Sequence, residues 1–508
     1  MTKVPDKEQD QLLTTFAEIR RVGTPWCAVR TNDPVATVMK LLRVKSNGGD
    51  KPRAGLWDCM NGCTSPVVTN QGEAVSDHCG YNCDADTAPQ QVLRESMLAM
   101  LPDSVLFMVV PDNSLFENSF IAQAILNLRD EYKASGRTLV FLGIDPKLPL
   151  LVNEDIPILD DPLPDVNALT MVARGVAEAA KRTLTGEEET RVAGLCLGLT
   201  TFAAEEGIAR NLRKSSINYD GLSKLKQQVV EDSTNKALTF DRLGWNFEQM
   251  GGHEGFKGFV KDLFAGPCAP TLVVRIDEID KSITAASAGQ VADNTGVSQD
   301  ILKVLLTALE DNSWMGLLAV GAPGTGKTLA SVCTGNQFGV KSLAFDMGAV
   351  KGSLVGESEQ KVRRVIDIIK TTGGKNVLFM ATANRLDTMP PELQRRFWLG
   401  TWFWDLPDEA ERKQIWDIQK KAYGITDNFL PDDTDWTGAD VRNCCRMAWA
   451  CKTPLVRAAE RITVVSKTSA GQVEALRATA EKCGFRSTRR EGPYARAQGG
   501  KTRRLIKE

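Results

Sequence analysis

The sequence predicts an α/β protein made of two parallel-sheet units, the second followed by a helical lid. Three observations carry this expectation. Apolar strand candidates alternate with amphipathic helical runs through the C-terminal half, the pattern of a parallel sheet covered on both faces. The stretch GAPGTGKT, Gly321 to Thr328, follows one such strand and precedes a helix, the context a phosphate-binding loop requires. A fainter version of the same text runs through the N-terminal half.

The bulk composition is that of a globular chain. Its 508 residues suit roughly three domains. It is 42% hydrophobic and 25% charged with a net charge of −2, which argues against a surface coated in basic charge for nucleic acid. No apolar run approaches the length of a bilayer span, and MTKVPDKEQDQLL lacks the apolar core of a signal peptide, so no membrane is expected as a partner. The expected location is a reducing cytoplasm, a host's if the source is viral, or an equivalent compartment such as an organelle stroma. There the 12 cysteines stay thiols. With only two histidines, His78 and His253, a catalytic triad or multi-histidine metal site has too few imidazoles. His253 in GGHEGFK reads as a surface or helix-start residue, because no second histidine completes a zinc-binding helix.

The first unit, residues 1–235, is expected to be a degenerate copy of the second. TLVFLGIDPKLPLLVNEDIPILDDPLPDVNAL matches NVLFMATANRLDTMPPELQRRFWLGTWFWDLPDEAERKQI in kind. Each has a strand, a polar turn, a proline-bearing stretch, a second strand, then acid-Leu-Pro-Asp and a helix. VLFMVVPDNSL stands where TLVVRIDEIDK stands in the second unit, and LTTFAAEEGIARNLR parallels WTGADVRNCCRMA. The copy has lost its phosphate loop. The second unit, residues 236–406, has strand candidates TLVVRI, GLLAVG, SLAFDM, VLFMAT and GTWFWDL. Between them lie SQDILKVLLTALED and ESEQKVRRVIDIIKT, with apolar residues at three- and four-residue spacing. Past WDLPD the strand signals stop, and EAERKQIWDIQKKAY and TGADVRNCCRMAWACK make residues 407–470 a helical lid. Residues 471–508 end in RSTRREGPYARAQGGKTRRLIKE, rich in Arg, Lys and Gly, and are expected to form a disordered basic tail. That tail is the route by which nucleic acid could be a partner.

The chemistry centres on Gly321 to Leu329. Gly321, Gly324 and Gly326, with Pro323 and Thr325 between them, let successive backbone N–H groups form an anion nest, and the following helix adds its positive end. Lys327 can reach the terminal phosphates, and the Thr328 hydroxyl ligates magnesium. Such a loop needs an acid on a neighbouring strand. LAFDMG offers Asp346 without a neighbouring glutamate and VLFMATAN offers none, whereas VVRIDEID supplies Asp277 for the metal shell and Glu278 to orient or deprotonate water. This strand precedes the loop in the chain instead of following it. Parallel-sheet geometry tolerates that order, because every strand brings its carboxyl end to one edge and SQDILKVLLTALEDNSWMG can make the return crossing. Arg275 is the oddity, a charge inside an otherwise apolar strand. In the first copy VLFMVVPDNS keeps Asp112 but has Asn113 where Glu278 would stand.

MGGHEGFKGFVKDLF, RIDEID, GAPGTGKT, GSLVGESEQKVRRVIDI, ATANRLDTMPPELQRRF and TGADVRNCC resemble the successive motifs of an AAA+ ATPase. With WDCMNG, DDPLPD, LGLTTFAAEEG and VVSKTSAGQVEALR, nearly the whole chain resembles the AAA ATPases of algal chloroplast genomes and cyanobacteria, which have bacterial and phage relatives. The departure is the acidic strand moved ahead of the phosphate loop. The resemblance implies ATP and Mg2+ as cofactors, a hexameric ring of identical subunits, and hydrolysis coupled to remodelling of a protein or macromolecular partner. It makes Asn384 the polar sensor near the γ-phosphate, and Arg395 and Arg396 the arginines offered to a neighbouring subunit's nucleotide. Their usual spacer is missing in LQRRF, so either can be the finger. Arg442 in GADVR is a second-sensor candidate, with a surface helix arginine the preferred reading. KGSLVGES, Lys351 to Ser358, falls at the pore-loop position but carries Leu354 where many unfoldases have an aromatic.

Cys59, Cys63, Cys79 and Cys83 form two Cys-x-x-x-Cys pairs that could make a zinc knot, although the surrounding Gly, Asn and Asp suit an ordinary surface loop better. Two other functions compete with a remodelling ATPase. One is a nucleotide-gated scaffold with incidental turnover. The other is a DNA-associated motor or loader resting on the basic tail.

Overall fold

The computed structural model describes residues 7–44, 51–69, 71–110, 115–116, 118–144, 146, 148, 155–213, 216–241, 244–281, 297–350, 357–385, 395–464 and 470–496. The chain divides into two compact units, Met1–Ser223 and Lys224–Glu508.

In the first unit, helix α1 (Lys7–Arg21) leads into strand β1 (Trp26–Arg30) and α2 (Pro34–Leu41). Next come β2 (Arg53–Asp58), β3 (Gly62–Thr64), β4 (Asp77–His78), α3 (Pro89–Ala99), β5 (Ser104–Val109), α4 (Ser119–Ser135), β6 (Thr138–Gly143) and β7 (Ile158–Asp160). Helices α5 (Val166–Ala179), α6 (Gly186–Cys196) and α7 (Thr201–Asn211) follow, and α8 (Tyr219–Ser233) spans the division. The sheet order is β7-β1-β6-β5-β2-β3, parallel except for β3, with β4 beside β2. Apolar runs suit its central strands because both faces are covered. Trp26, Ala28, Leu106, Met108, Leu139 and Phe141 feed one core, while Cys27, Val29, Val105, Phe107, Val140 and Leu142 feed the other.

The second unit opens with β8 (Leu238–Phe240), a 3-10 turn at Phe247–Gln249, α9 (Glu254–Ala265) and β9 (Leu272–Ile276). It continues through α10 (Val297–Asp311), β10 (Met315–Gly321), α11 (Lys327–Gln337), β11 (Lys341–Phe345), α12 (Met347–Val350), α13 (Glu357–Gly373), β12 (Val377–Ala383) and β13 (Thr401–Trp404). The lid helices α14 (Glu409–Tyr423), α15 (Gly438–Cys451) and α16 (Leu455–Ala459) have their own core around Trp416, Trp436 and Cys444. Then come α17 (Ala470–Lys482) and β14 (Arg486–Ser487).

Its sheet runs β14-β13-β10-β12-β9-β11-β8, parallel except for β8. Strand β9 pairs with β11 on one side and β12 on the other, although it precedes both in the chain. Apart from the added β14, this order repeats that of the first sheet slot for slot, with β9 in the place of β5. In the first sheet β5 follows β1, whereas in the second β9 precedes the corresponding β10. The chain order differs, but the spatial order is the same.

The expected disordered tail is corrected up to Arg496. Helix α17 and strand β14 are regular structure, β14 extends the sheet beside β13, and Tyr494 is buried against Phe403 at 4.6 Å between ring centroids. Three of its arginines are paired inside the unit: Arg477 with Asp405 at 2.8 Å, Arg489 with Glu411 at 2.8 Å, and Arg496 with Glu481 at 3.2 Å. Arg486 lies over the rings of Phe259 and Trp402.

Candidate functional site

At the carboxyl edge of the second sheet, strands β9, β10 and β12 bring the chemistry together. Strand β10 is buried throughout and delivers Gly321, whose Cα faces the Trp404 backbone so closely that an added Cβ would lie 2.1 Å from its carbonyl oxygen. Gly324 and Gly326 have φ of +83° and +97°, conformations that turn the loop and favour glycine. The loop packs on the lid: Ala439 N–H donates to the Gly324 carbonyl at 3.2 Å, and a Cβ on Gly324 would meet Thr437 Oγ1 at 2.7 Å. Pro323 is exposed, Thr325 Oγ1 donates to the Ala322 carbonyl at 2.9 Å, and Leu329 packs against the core. Lys327 begins α11 and donates to the carbonyls of Gly321 and Ala322 at 2.7 and 2.8 Å. Burial pulls its pKa down to about 8, opposed by the nearby Asp280 and Glu278 carboxylates.

Asp277 and Glu278 follow β9 directly. Thr328 Oγ1 donates to Asp277 Oδ1 at 2.9 Å, so the loop hydroxyl and the strand acid are neighbours despite their transposed chain order. One sequence-distant residue, Thr382, and one from β9 itself, Arg275, brace them. Buried Thr382, in β12, accepts from the Glu278 N–H at 3.0 Å and sits 3.3 Å from Asp277 Oδ1. Arg275 is paired with Asp277 and, at 2.8 Å, with Asp241. The charge inside β9 is thereby neutralised on both sides. Glu278 has φ +53°, a left-handed backbone, and bonds Asn384 Nδ2 at 3.4 Å and exposed Lys281 at 2.6 Å. The Asn384 N–H donates to buried Asp280 at 3.2 Å. Sequence reading missed Thr382 and Asp280, although both lie inside the quoted ATAN and RIDEID.

The fit to magnesium is that of a shared site. Among the described residues no group of three or more His, Cys, Asp or Glu side chains is placed to hold a metal. Thr328 and Asp277 supply one hydroxyl and one carboxylate side by side, which suits an ion that keeps most of its shell as water and phosphate oxygen. Of the four cysteines, Cys63 and Cys79 lie buried and both point to the Tyr81 carbonyl, at 3.8 and 3.4 Å, and Cys83 Sγ accepts from the Cys63 N–H at 3.3 Å, while Cys59 is exposed; among the described residues they form no group placed to hold a metal.

Arg395 and Arg396 are separated by their environments. Arg396 bonds the Leu306 carbonyl at 3.1 Å and pairs with Glu310, both in α10, whereas Arg395 is exposed and makes no bond among the described residues. Arg442 is exposed on α15, on the side of the surface-helix reading. Residues 351–356 of the pore segment, with Leu354, and Asp112 and Asn113 of the first unit lie outside the described residues.

In the first unit the loop after β1 is short, Thr31 to Asp33, and its helix start is closed from within. Asp33 caps α2 by accepting from Ala36 N–H at 3.2 Å and also accepts from Phe202 N–H at 3.2 Å. Asp161, after β7, takes Thr37 Oγ1 at 2.6 Å and Lys40 at 2.7 Å. A carboxylate thus occupies the start of α2, the helix that follows the strand in the slot of β10.

Residues 317–380, from β10 to β12, match the family described as "ATPase family associated with various cellular activities (AAA)". The chain carries an AAA domain. It is similar to the "Uncharacterized AAA domain-containing protein ycf46" of Guillardia theta, 24% identical over 416 residues that cover 72% of this chain and 71% of that protein. The protein of the same name in Trieres chinensis is 22% identical over 417 residues, covering 72% and 73%. That of Pyropia yezoensis is 21% identical over 357 residues, covering 62% and 65%. Among solved structures, the "Crystal structure of FIGL-1 AAA domain" is 17% identical, with a TM-score of 0.26 over 40% of this chain and 95% of that one.

Proposed function

We propose that the chain is an AAA+ ATPase that binds and hydrolyses Mg-ATP at the interfaces of a homomeric, hexameric ring and uses turnover to remodel a macromolecular partner. The observation that carries this reading is the 2.9 Å bond from Thr328 to Asp277, made across strands whose chain order is transposed. Backbone N–H groups of Gly324 to Lys327 cradle the phosphates and the Lys327 ammonium neutralises them. Bound magnesium, held by Thr328 and Asp277, offsets charge on the phosphate oxygens. Glu278, steadied by Asn384, orients or deprotonates the attacking water. Exposed Arg395 is the group to reach a neighbouring subunit's nucleotide, while Arg396 secures the segment to α10.

The shared strand order supports a duplication in which the first unit is a scaffold without a nucleotide of its own. All twelve cysteines are free, in keeping with a reducing compartment, a cytoplasm or an organelle stroma. No helix among the described residues is long and apolar enough to cross a membrane. The test is phosphate release from Mg-ATP by the full chain, with nucleotide stoichiometry and assembly mass measured with and without ATP. Expected are turnover that Lys327→Ala abolishes, one nucleotide per chain, and a ring. No turnover, or a second nucleotide retained in Lys327→Ala, contradicts the proposal.

A further inference from the structure

The C-terminal segment meets the phosphate loop through one buried imidazole, and we infer that Thr488 and His253 are positioning residues of the nucleotide site. The inference rests on the ATP-site reading above. Helix α9 has no side-chain cap; its first N–H groups are satisfied by the distant C-terminal segment. Gly255 N–H donates to the Arg489 carbonyl at 3.2 Å, and Phe256 N–H to the Thr488 carbonyl at 3.0 Å. The approach is close enough that a Cβ on Gly255 would lie 2.6 Å from the Arg490 backbone.

His253, just before α9, has φ +61°, a left-handed backbone unfavourable for a residue with a side chain. What holds it there is contact on every side. Nδ1 lies 2.9 Å from Thr488 Oγ1, and the opposite edge of the ring is turned to the phosphate loop. Nε2 faces Gly326, where an added Cβ would be 3.8 Å away. The His253 N–H donates to Glu411 Oε1 at 3.4 Å, and Glu411 in turn binds Arg489 at 2.8 Å.

His253 and Thr488 are both buried, at 8% and 2% exposure, so the contacts are not diluted by water. The Thr488 hydroxyl lies between His253 Nδ1 at 2.9 Å and the Phe403 carbonyl of β13 at 3.3 Å, so it ties the ring to the sheet. Docking of the C-terminal strand therefore fixes the ring, and the ring fixes the carboxyl half of the loop. Thr488 acts through His253, and His253 faces the loop and not the phosphates, which makes both positioning residues.

The test uses the full chain, magnesium and a fluorescent N-methylanthraniloyl ATP analogue. Thr488→Val keeps the shape and removes the hydroxyl; it should weaken analogue binding about tenfold. KM for ATP should rise in parallel with the loss of binding while kcat stays within about twofold of wild type, the signature of lost uniform binding. Thr488→Ser should restore both. Amide hydrogen exchange over Ala322–Thr328 in the nucleotide-free chain should be faster in Thr488→Val. If that variant fails to fold, His253→Asn, which tolerates the left-handed backbone, should show the same pattern. Wild-type binding and loop exchange in the folded variant, or a loss of stability alone, overturns the inference. A wild-type chain that binds no analogue overturns the ATP-site reading instead, and loop exchange then decides the inference alone.

Discussion

Thr382→Val removes one hydroxyl that braces both acids of the transposed strand. Its Oγ1 lies 3.0 Å from the Glu278 N–H and 3.3 Å from Asp277 Oδ1, in a side chain that is 3% exposed. Valine has nearly the same volume, so no cavity opens. The loss is a buried donor left without a partner, about 1–3 kcal/mol of unfolding free energy. The orphaned amide belongs to Glu278, already in a left-handed backbone, so the acid should move before the strand does. A displacement of order 1 Å at a water-orienting group can cost up to about a hundredfold in rate. Urea unfolding followed by circular dichroism reads the first effect, and steady-state phosphate release the second. Thr382→Ser should behave as wild type. A valine variant that unfolds at the wild-type urea concentration and turns over at the wild-type rate would refute the bracing argument.

Three further outcomes are expected. Arg395→Ala should lose at least about tenfold in turnover, a loss rescued by mixing with subunits that supply the arginine to its neighbours, whereas Arg396→Ala should mainly lower stability. The reverse pattern in turnover and thermal unfolding would reassign the finger. Burial pulls the His253 pKa down to about 4 from 6.5, so between those values the unfolded chain binds a proton that the native chain does not. Stability is therefore fully present above pH 6.5 and falls as pH drops toward 4, by roughly 3 kcal/mol at most. The difference in unfolding free energy between wild type and His253→Asn should carry that slope; a flat difference argues against a buried neutral ring. Gly321→Ala places a Cβ 2.1 Å from the Trp404 carbonyl and should cost about 1–3 kcal/mol in urea unfolding while weakening ATP binding.

The parts legible in the sequence are those whose signal is local. The phosphate loop announces itself because glycines, Lys327 and Thr328 must be contiguous to wrap an anion. Strand β9 was legible because both faces of a central parallel strand are buried, leaving a short apolar run that ends in Asp277 and Glu278. Its position was legible for a different reason: strand slots are set by spatial pairing, and a crossover helix can reorder the chain without moving the slot. The illegible parts depend on distant partners. Strand β14 is only Arg486–Ser487, too short for any periodicity, and is created by pairing with Trp402 and Phe403. His253 does begin a helix, but its burial comes from Thr488 and Trp404 far along the chain. Arg275 looked out of place because Asp241, its second partner, lies on another segment. The two arginines of LQRRF became distinguishable only once α10 was seen to hold Arg396.

The account turns on Glu278 being the water-orienting acid of an ATP site assembled from a displaced strand. Glu278→Gln preserves shape and the contact to Asn384 while removing the charge. Phosphate release and ATP-analogue binding, measured on the same folded protein, test it directly. The account predicts binding within about threefold of wild type and turnover lower by roughly a hundredfold to ten-thousandfold. Turnover at the wild-type rate would contradict it.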